Sequence, residues 1–343
     1  MKPKKPTIAV IDGDLALFPA ACSAEQVWYS YFDEDDNLIA KFPSAAEGKA
    51  WLEEIDFIGC DIQFGFKGDP EKLVRKTSIE VGDFKTAKKN YRSLIRRWLN
   101  KAGVDNYIIY LAKKSGAPNF RHEAALRKVY KGNRKGDKPH YLEPLRKWAL
   151  TLKNHKKAVG GFETDDVVCY VAQARGEKAV LIQNEKDCMQ VRGCWVLYPD
   201  EHDEPVFSDP TTLGYIEQNK KGKIIGLGHL ALLSQVITGD KADNYDGIKG
   251  AGPKKAVDTL SPFNNLPEDR LEEPVRAVAD LYREVYGDAY PYKNRLGESV
   301  TGSWKDFMIE SVRLAYMVKG RGDYPHMYVD LIEKIWSEYE SDS

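Results

Sequence analysis

Cysteine is scarce and follows no pattern. Cys22, Cys60, Cys169, Cys188 and Cys194 are an odd five scattered over 343 residues, with no C-x-x-C pair. That number and spacing exclude a disulfide framework and argue against a thiolate zinc site, so reduced thiols are expected. Long apolar runs are missing too. The opening MKPKKP and the following IAVIDGDLALFPAAC have the outline of a signal peptide, but Asp12 and Asp14 interrupt the apolar part, which an h-region does not tolerate. No other stretch approaches membrane-spanning length, so a cytoplasmic protein with no membrane partner is expected. Internal repeats and low-complexity tracts are absent.

Net charge is nearly absent as well, at -1, but this total hides a segregation. Between Lys113 and Lys157 there are 14 Lys or Arg against 3 Asp or Glu, whereas Glu163 to Asp209 carries 11 acids against 4 bases. Neighbouring blocks of opposite sign suggest a surface for a polyanion beside a site for cations; two solvated faces are the plainer alternative. With 42% hydrophobic and 11% aromatic residues, the chain can bury a sizeable core in one large or two modest domains.

Periodicity gives the elements. The short apolar runs Ile8 to Ile11, Tyr107 to Leu111 and Ala179 to Ile182 have the length of buried strands. Between them, Thr86 to Lys101, Tyr141 to Lys153 and Glu163 to Arg175 carry apolar residues at helical spacing. Alternating strands and helices predict an α/β fold with a mainly parallel central sheet flanked by helices. The stretch KGNRKGDKPH breaks any helix, so Arg121 to His140 is expected to be a mobile or arched segment within the basic region 113–157. After His229 the texture turns helical, with amphipathic stretches at Glu268 to Tyr286 and Trp304 to Lys319 and a frayed polar tail, SEYESDS. A boundary near residue 225 divides an α/β core, 1–225, from a helical region, 226–343.

Acids recur where strands end, which is where an α/β sheet binds its ligands. IDGD places Asp12 and Asp14 two apart, and NEKD does the same for Glu185 and Asp187; in extended chain such pairs point to one side. FETDD puts Glu163 and Asp166 on one helix face with Asp165 beside them, and ITGDKADN sets Asp240 and Asp243 three apart. Acids in a first helical turn suit the helix dipole, yet three together exceed what capping needs. So many carboxylates in one place repel unless cations neutralise them. Oxygen ligands select hard ions such as Mg²⁺ or Mn²⁺, and two ions roughly 4 Å apart would activate water against a phosphodiester.

The motifs VIDGD, VYKGNRK, GFETDDVV, NEKDCMQV and ITGDKADNYDGIKGAGPKKA occur in this order over residues 7 to 260. In them the sequence resembles the 5′ nuclease superfamily that includes flap endonucleases, most closely the 5′-to-3′ exonucleases of tailed bacteriophages, with a PIN-like core. The resemblance implies a metal-dependent hydrolase acting on DNA with a 5′ end, whether duplex, flap or nicked, with a DNA:RNA hybrid as a further substrate and replication proteins as partners. It makes Asp12, Glu163, Asp165 and Asp166 ligands or near ligands of one metal, and assigns Glu185, Asp187, Asp240 and Asp243 to the neighbourhood of a second. Asp14 is not expected to bind metal. Lys131 and Arg134 inherit contact with the scissile phosphate, Tyr130 is expected to stack on or pack near a terminal base, and Lys128 joins them on the DNA side.

GIKGAGPKKAVDTL looks like the family's helix-three-turn-helix, at about 246–260. There Gly250 and Gly252 would allow close approach to a duplex phosphate backbone, Lys254 and Lys255 add charge, and a monovalent cation could sit in the turn. Two departures stand out. Relatives carry an aspartate where this chain has Lys113, Lys114 and Ser115, and Glu185 replaces the usual aspartate. The first departure motivates a rival reading, a DNA-structure-binding relative without catalysis. A PIN-type ribonuclease is a second rival, opposed by the segment Gly247 to Leu260.

Overall fold

The computed structural model describes residues 3–58, 66, 69–112, 119–134, 136–158, 161–318, 323 and 325–341. The three apolar runs become adjacent strands at the centre of a six-stranded sheet. Its spatial order is His155–Lys157, Asn106–Leu111, Ile8–Asp12, Ala179–Ile182, Trp195–Leu197 and Val206–Phe207. All neighbours run parallel except the last pair. Ala9, Val10 and Ile11 have no exposed surface, as the middle strand of a sheet covered on both faces must. Ile8 pairs with both Asn106 and Ala179, so the carboxyl ends of the three central strands finish level and whatever follows them gathers at one edge.

The helices Phe84–Ala102, Leu142–Ala149 and Thr164–Arg175 each precede a parallel strand. The second stops four residues before the expected Lys153, because Asn154 at φ +67° turns the chain into the edge strand His155–Lys157. That strand has no apolar run, since it lies at the sheet's margin, and periodicity does not reveal it.

Two compact units divide the chain differently from the expected boundary near 225. One comprises residues 1–15, 96–136 and 150–343; the other comprises 16–95 and 137–149. In the first, Leu213 and Ile216 share a core with Leu233, Val236, Val278, Tyr282, Phe307 and Ile332, so the helical region is continuous with the segment before it. The tail is not frayed as far as Ser341: the helix His326–Ser341 is held by Arg276 on Glu338 at 2.6 Å and by the Tyr339 hydroxyl on Asp280.

The second unit holds a three-stranded antiparallel sheet, in the order Leu38–Phe42, Glu25–Phe32, Val74–Val81. Its one covered face buries Tyr31, Ala40 and Phe42 with Trp51 and Ile55 of the helix Ala45–Ile58. Sequence periodicity gave no strand here, because aromatic residues occupy both faces: Trp28 and Phe32 lie beneath Lys41 and Lys76.

Among the described residues no helix is long and apolar enough to cross a membrane. Between the helices Gly228–Thr238 and Pro253–Leu260 the chain folds into a tight hairpin of Gly239–Asp240 and Tyr245–Asp246. A Cβ on Gly247 would stand 2.2 Å from the carbonyl oxygen of Ile237 and 2.5 Å from the Gly239 nitrogen. Gly247→Ala is therefore expected to destabilise the chain by roughly 2 kcal/mol or more in urea unfolding, far beyond an ordinary surface change; an unchanged midpoint contradicts the close packing.

Candidate metal and nucleic-acid site

Every site acid lies in the first unit, and the electrostatics tie them together. Asp12, the last residue of the central strand, is 3% exposed. Burial first, and then the charges of Asp165, Asp14 and Glu185, hold its carboxyl well above the usual range. Asp165 is likewise raised, by burial first, and its carboxyl hydrogen-bonds that of Asp12. The charge of Asp165, ahead of burial and Asp187, pushes Glu185 up to about 9. Burial, followed by Asp243 and Asp240, pushes Asp187 up to about 7. Carboxyls this reluctant to ionise together mark a site whose negative charge is not fully offset.

Local structure explains each placement. Asp14 opens the helix Asp14–Cys22 and accepts from the Ala112 amide at 2.8 Å and the Thr164 hydroxyl at 2.9 Å. It therefore ties the ends of the neighbouring strand and helix to the central strand and does not face the cluster with a free carboxylate. Gln183, fully buried after the strand Ala179–Ile182, donates to Asp165 at 3.0 Å while its carbonyl accepts from the amides of Asn184 and Glu185. That glutamine sets the turn carrying Glu185 and Asp187. One buried oxygen, Asp187 Oδ1, has no hydrogen-bond partner among the described residues.

The basic segment supplies the counter-charges. Lys131 Nζ is 2.5 Å from Glu163 and 3.6 Å from Asp243; Arg134 is 2.7 Å from Asp243; Lys186 is 3.2 Å from Asp240. Lys131 holds φ at +55°, a backbone region that costs a non-glycine residue about 1–3 kcal/mol. Its amide donates to the Asp243 carbonyl at 2.8 Å, and the Asn133 and Asn244 side chains bind the opposing backbone. Residues 127–134 therefore clasp the hairpin that carries Asp240 and Asp243.

Several expectations fall differently. Tyr130 is 3% exposed, and its hydroxyl reaches Asp243 at 2.6 Å and Glu163 at 3.1 Å, so no ring face is left for a base. It packs near acids. Asp166 is 1% exposed and turns both oxygens to Arg121, at 2.7 and 2.9 Å, while accepting from the amides of Val318 and Glu163. Four donors fill its lone pairs and leave none for an ion. Within the expected mobile or arched segment, Arg121 to Ala124 is a short helix and residues 126–133 run through bends and turns. Lys113, Lys114 and Ser115 lie outside the described residues.

Lys128 pairs with Asp246 at 2.7 Å and remains half exposed. Gly250 at φ +80°, Gly252, and the exposed Lys254 and Lys255 stand at the start of the helix Pro253–Leu260. Gly250 needs its hydrogen for conformation; Gly252, at φ -123°, does not, and nothing crowds either one.

Two residues that motif reading passed over matter most. Arg121 has no exposed surface, reaches Glu163 at 3.3 Å besides Asp166, and donates to the carbonyls of Leu314 and Tyr316. Lys186 lies between two candidate ligands in sequence.

The donor set fits hard divalent ions: carboxylate oxygens only, one of them buried and unpartnered, with titrations displaced upward. Among the described residues no three His, Cys, Asp or Glu side chains are already arranged to hold an ion. The reason is visible in the ion pairs, which turn Glu163, Asp240 and Asp243 toward Lys131, Arg134 and Lys186.

Removing the Arg121 charge strands a buried carboxylate. Arg121→Met is expected to cost about 3–5 kcal/mol in urea unfolding, with Asp166→Leu in the same chain recovering part of it; equal losses in the single and double variants contradict the pairing. The raised carboxyls fix a pH trend. From the ordinary 4.5 of Glu185 to its folded value of about 9, the folded metal-free chain binds more protons than the unfolded one, so stability falls as pH rises through that window. In EDTA the melting temperature should drop from about pH 5 to about pH 8, and Glu185→Gln with Asp187→Asn should flatten the fall. A wild-type melting temperature that rises over that range contradicts it.

No family model matches the chain. It is 27% identical over 151 residues to a 5′-3′ exonuclease of Aquifex aeolicus, a match covering 40% of this chain and 48% of that protein. It is 28% identical over 158 residues to the flap endonuclease Xni of Shewanella baltica, covering 43% and 56%. The chain thus spans about half the length of these relatives. Among solved structures, the T5 D15 protein co-crystallised with metal ions aligns over 97% of both chains at 12% identity with a TM-score of 0.45. In these relatives, and in the order of motifs that carries its acids, the chain is similar to proteins of the 5′ nuclease superfamily.

Proposed function

We propose that the chain is a divalent-metal-dependent 5′-to-3′ nuclease that hydrolyses DNA phosphodiesters from a 5′ end. One observation carries this reading: the charge of Asp165 helps to raise Asp12 and Glu185, the charges of Asp243 and Asp240 help to raise Asp187, and Asp187 Oδ1 is buried without a hydrogen-bond partner among the described residues. The ions are Mg²⁺ or Mn²⁺, as oxygen-only donors select. Bound ions would supply the Lewis acidity that activates water and stabilises the leaving oxygen.

The ligand set we propose is Asp12, Glu163, Asp165, Glu185, Asp187, Asp240 and Asp243. Asp166 is a positioning residue, because Arg121 and two amides use its oxygens. Tyr130 positions Glu163 and Asp243. Lys131 and Arg134 now neutralise acids that an ion would neutralise instead; released, each could meet the scissile phosphate and offset the charge that grows on it. Lys128, the Gly250–Gly252 turn, Lys254 and Lys255 would contact duplex phosphates away from the reaction, where a monovalent cation could also sit.

The substrates in view are duplex, nicked or flap DNA, with a DNA:RNA hybrid and replication proteins as further partners. The free thiols Cys169, Cys188 and Cys194, all buried, accord with a cytoplasmic setting.

A 5′-labelled duplex and a 5′-flap substrate, incubated with and without Mg²⁺, test the reading. Cleavage should require the metal. Asp187→Asn and Lys131→Ala should each lower kcat by about 10²–10³-fold, while DNA affinity stays within a few fold. Wild-type protein that binds DNA yet cuts with neither Mg²⁺ nor Mn²⁺ removes the enzyme claim.

A further inference from the structure

Among the described elements, the helix Phe84–Ala102 bears the most one-sided charge. Over 19 residues it has seven Lys or Arg and no Asp or Glu. Lys85, Lys89, Arg92 and Arg96 follow one another at intervals of four, three and four, which sets them on one face. All four are exposed, and Arg97 is exposed beside them. Ala87, Tyr91, Ile95 and Trp98, on the opposite side, are buried. Arg92 also lies over the Trp148 ring at 4.9 Å, which steadies its side chain.

This pattern works against the helix itself. Like charges four apart repel, and bases in a first turn oppose the helix dipole; here the first turn contains no acid. A face selected for helix stability would intersperse glutamates. Asp83 caps the helix by accepting from the Lys85 amide at 2.8 Å, but among the described residues no carboxylate pairs with these four side chains, and a basic face left without ion pairs points to a partner outside it. That partner must be a polyanion. An anionic membrane is the poorer match, because an interfacial helix inserts its apolar face, and this one is already buried in the protein.

We infer that Lys85, Lys89, Arg92 and Arg96 form a DNA contact of their own, which grips a phosphate backbone with residues other than the acidic cluster. The choice of DNA over other polyanions rests on the proposed nuclease reading; the basic face does not. From Lys85 to Arg96 the helix rises about 16 Å, close to five base steps of duplex at about 3.4 Å each. Such a track would hold the substrate by charge without reading its sequence.

The test uses the full chain and a labelled duplex in EDTA, which prevents cleavage, with anisotropy followed across a salt series. Replacing all four residues by Gln should weaken binding at least about tenfold and make the slope of log Kd against log salt shallower by about 3 to 4. Arg92→Gln alone should change that slope by about 1, which keeps the test open if the fourfold variant does not fold. Lys220→Gln with Lys221→Gln, in an exposed turn elsewhere, should leave the slope unchanged. Unchanged affinity and slope in a helical fourfold variant overturns the inference. So does wild-type protein that fails to bind duplex, or a stripe that serves only anionic vesicles. DNA held through this face but never cut sinks the nuclease reading alone; normal cutting with an unaffected slope sinks this inference alone.

Discussion

Mutual repulsion among buried carboxylates is the constraint around which the first unit is built. Asp12 ends the central strand with almost no exposure; burial raises Asp12, Asp165 and Asp187, and the charge of Asp165 adds to the rise at Asp12, Glu185 and Asp187. A cluster of this kind persists only when cations are near. The structure supplies them from three directions: Arg121 buried beneath Asp166, Lys131 and Arg134 from the clasping segment, and Lys186 beside Asp240. The pairs differ in burial. Arg121 is held by two carbonyls and a bidentate carboxylate, whereas Arg134 is more than half exposed.

The sheet delivers these groups in a simple way. Three apolar runs, legible as strands from their length alone, lie side by side in level register, and the acids that follow them arrive at one edge. The residues that hold the acids in place were not legible. Gln183 and Arg121 act through buried hydrogen bonds to segments far along the chain, and no local spacing announces such a partner. Asp166 shows the same limit: in sequence it is one acid of a triplet, and only its contact with Arg121, 45 residues away, separates it from Asp165. Tyr130 belongs to the same class, since its burial depends on the hairpin at Asp243.

The second unit shows why patterning gives out. Its three strands form a small sheet with a helix on one face and aromatic-cation pairs on the other, so neither clean alternation nor a continuous apolar run marks them. The edge strands of the main sheet are short or polar for a related reason: they contribute little to the core. At the carboxyl end, amphipathic spacing located two helices within a few residues, but the continuity of their core with Leu213 and Ile216 is a tertiary fact.

If the cluster exists to hold cations, their binding is the most direct measure of it. Calorimetric titration of Mn²⁺ into the metal-free chain at about pH 8 should give saturable binding, with the affinity falling at least about tenfold in Asp187→Asn. Absence of binding, or identical affinity in the variant, contradicts the account.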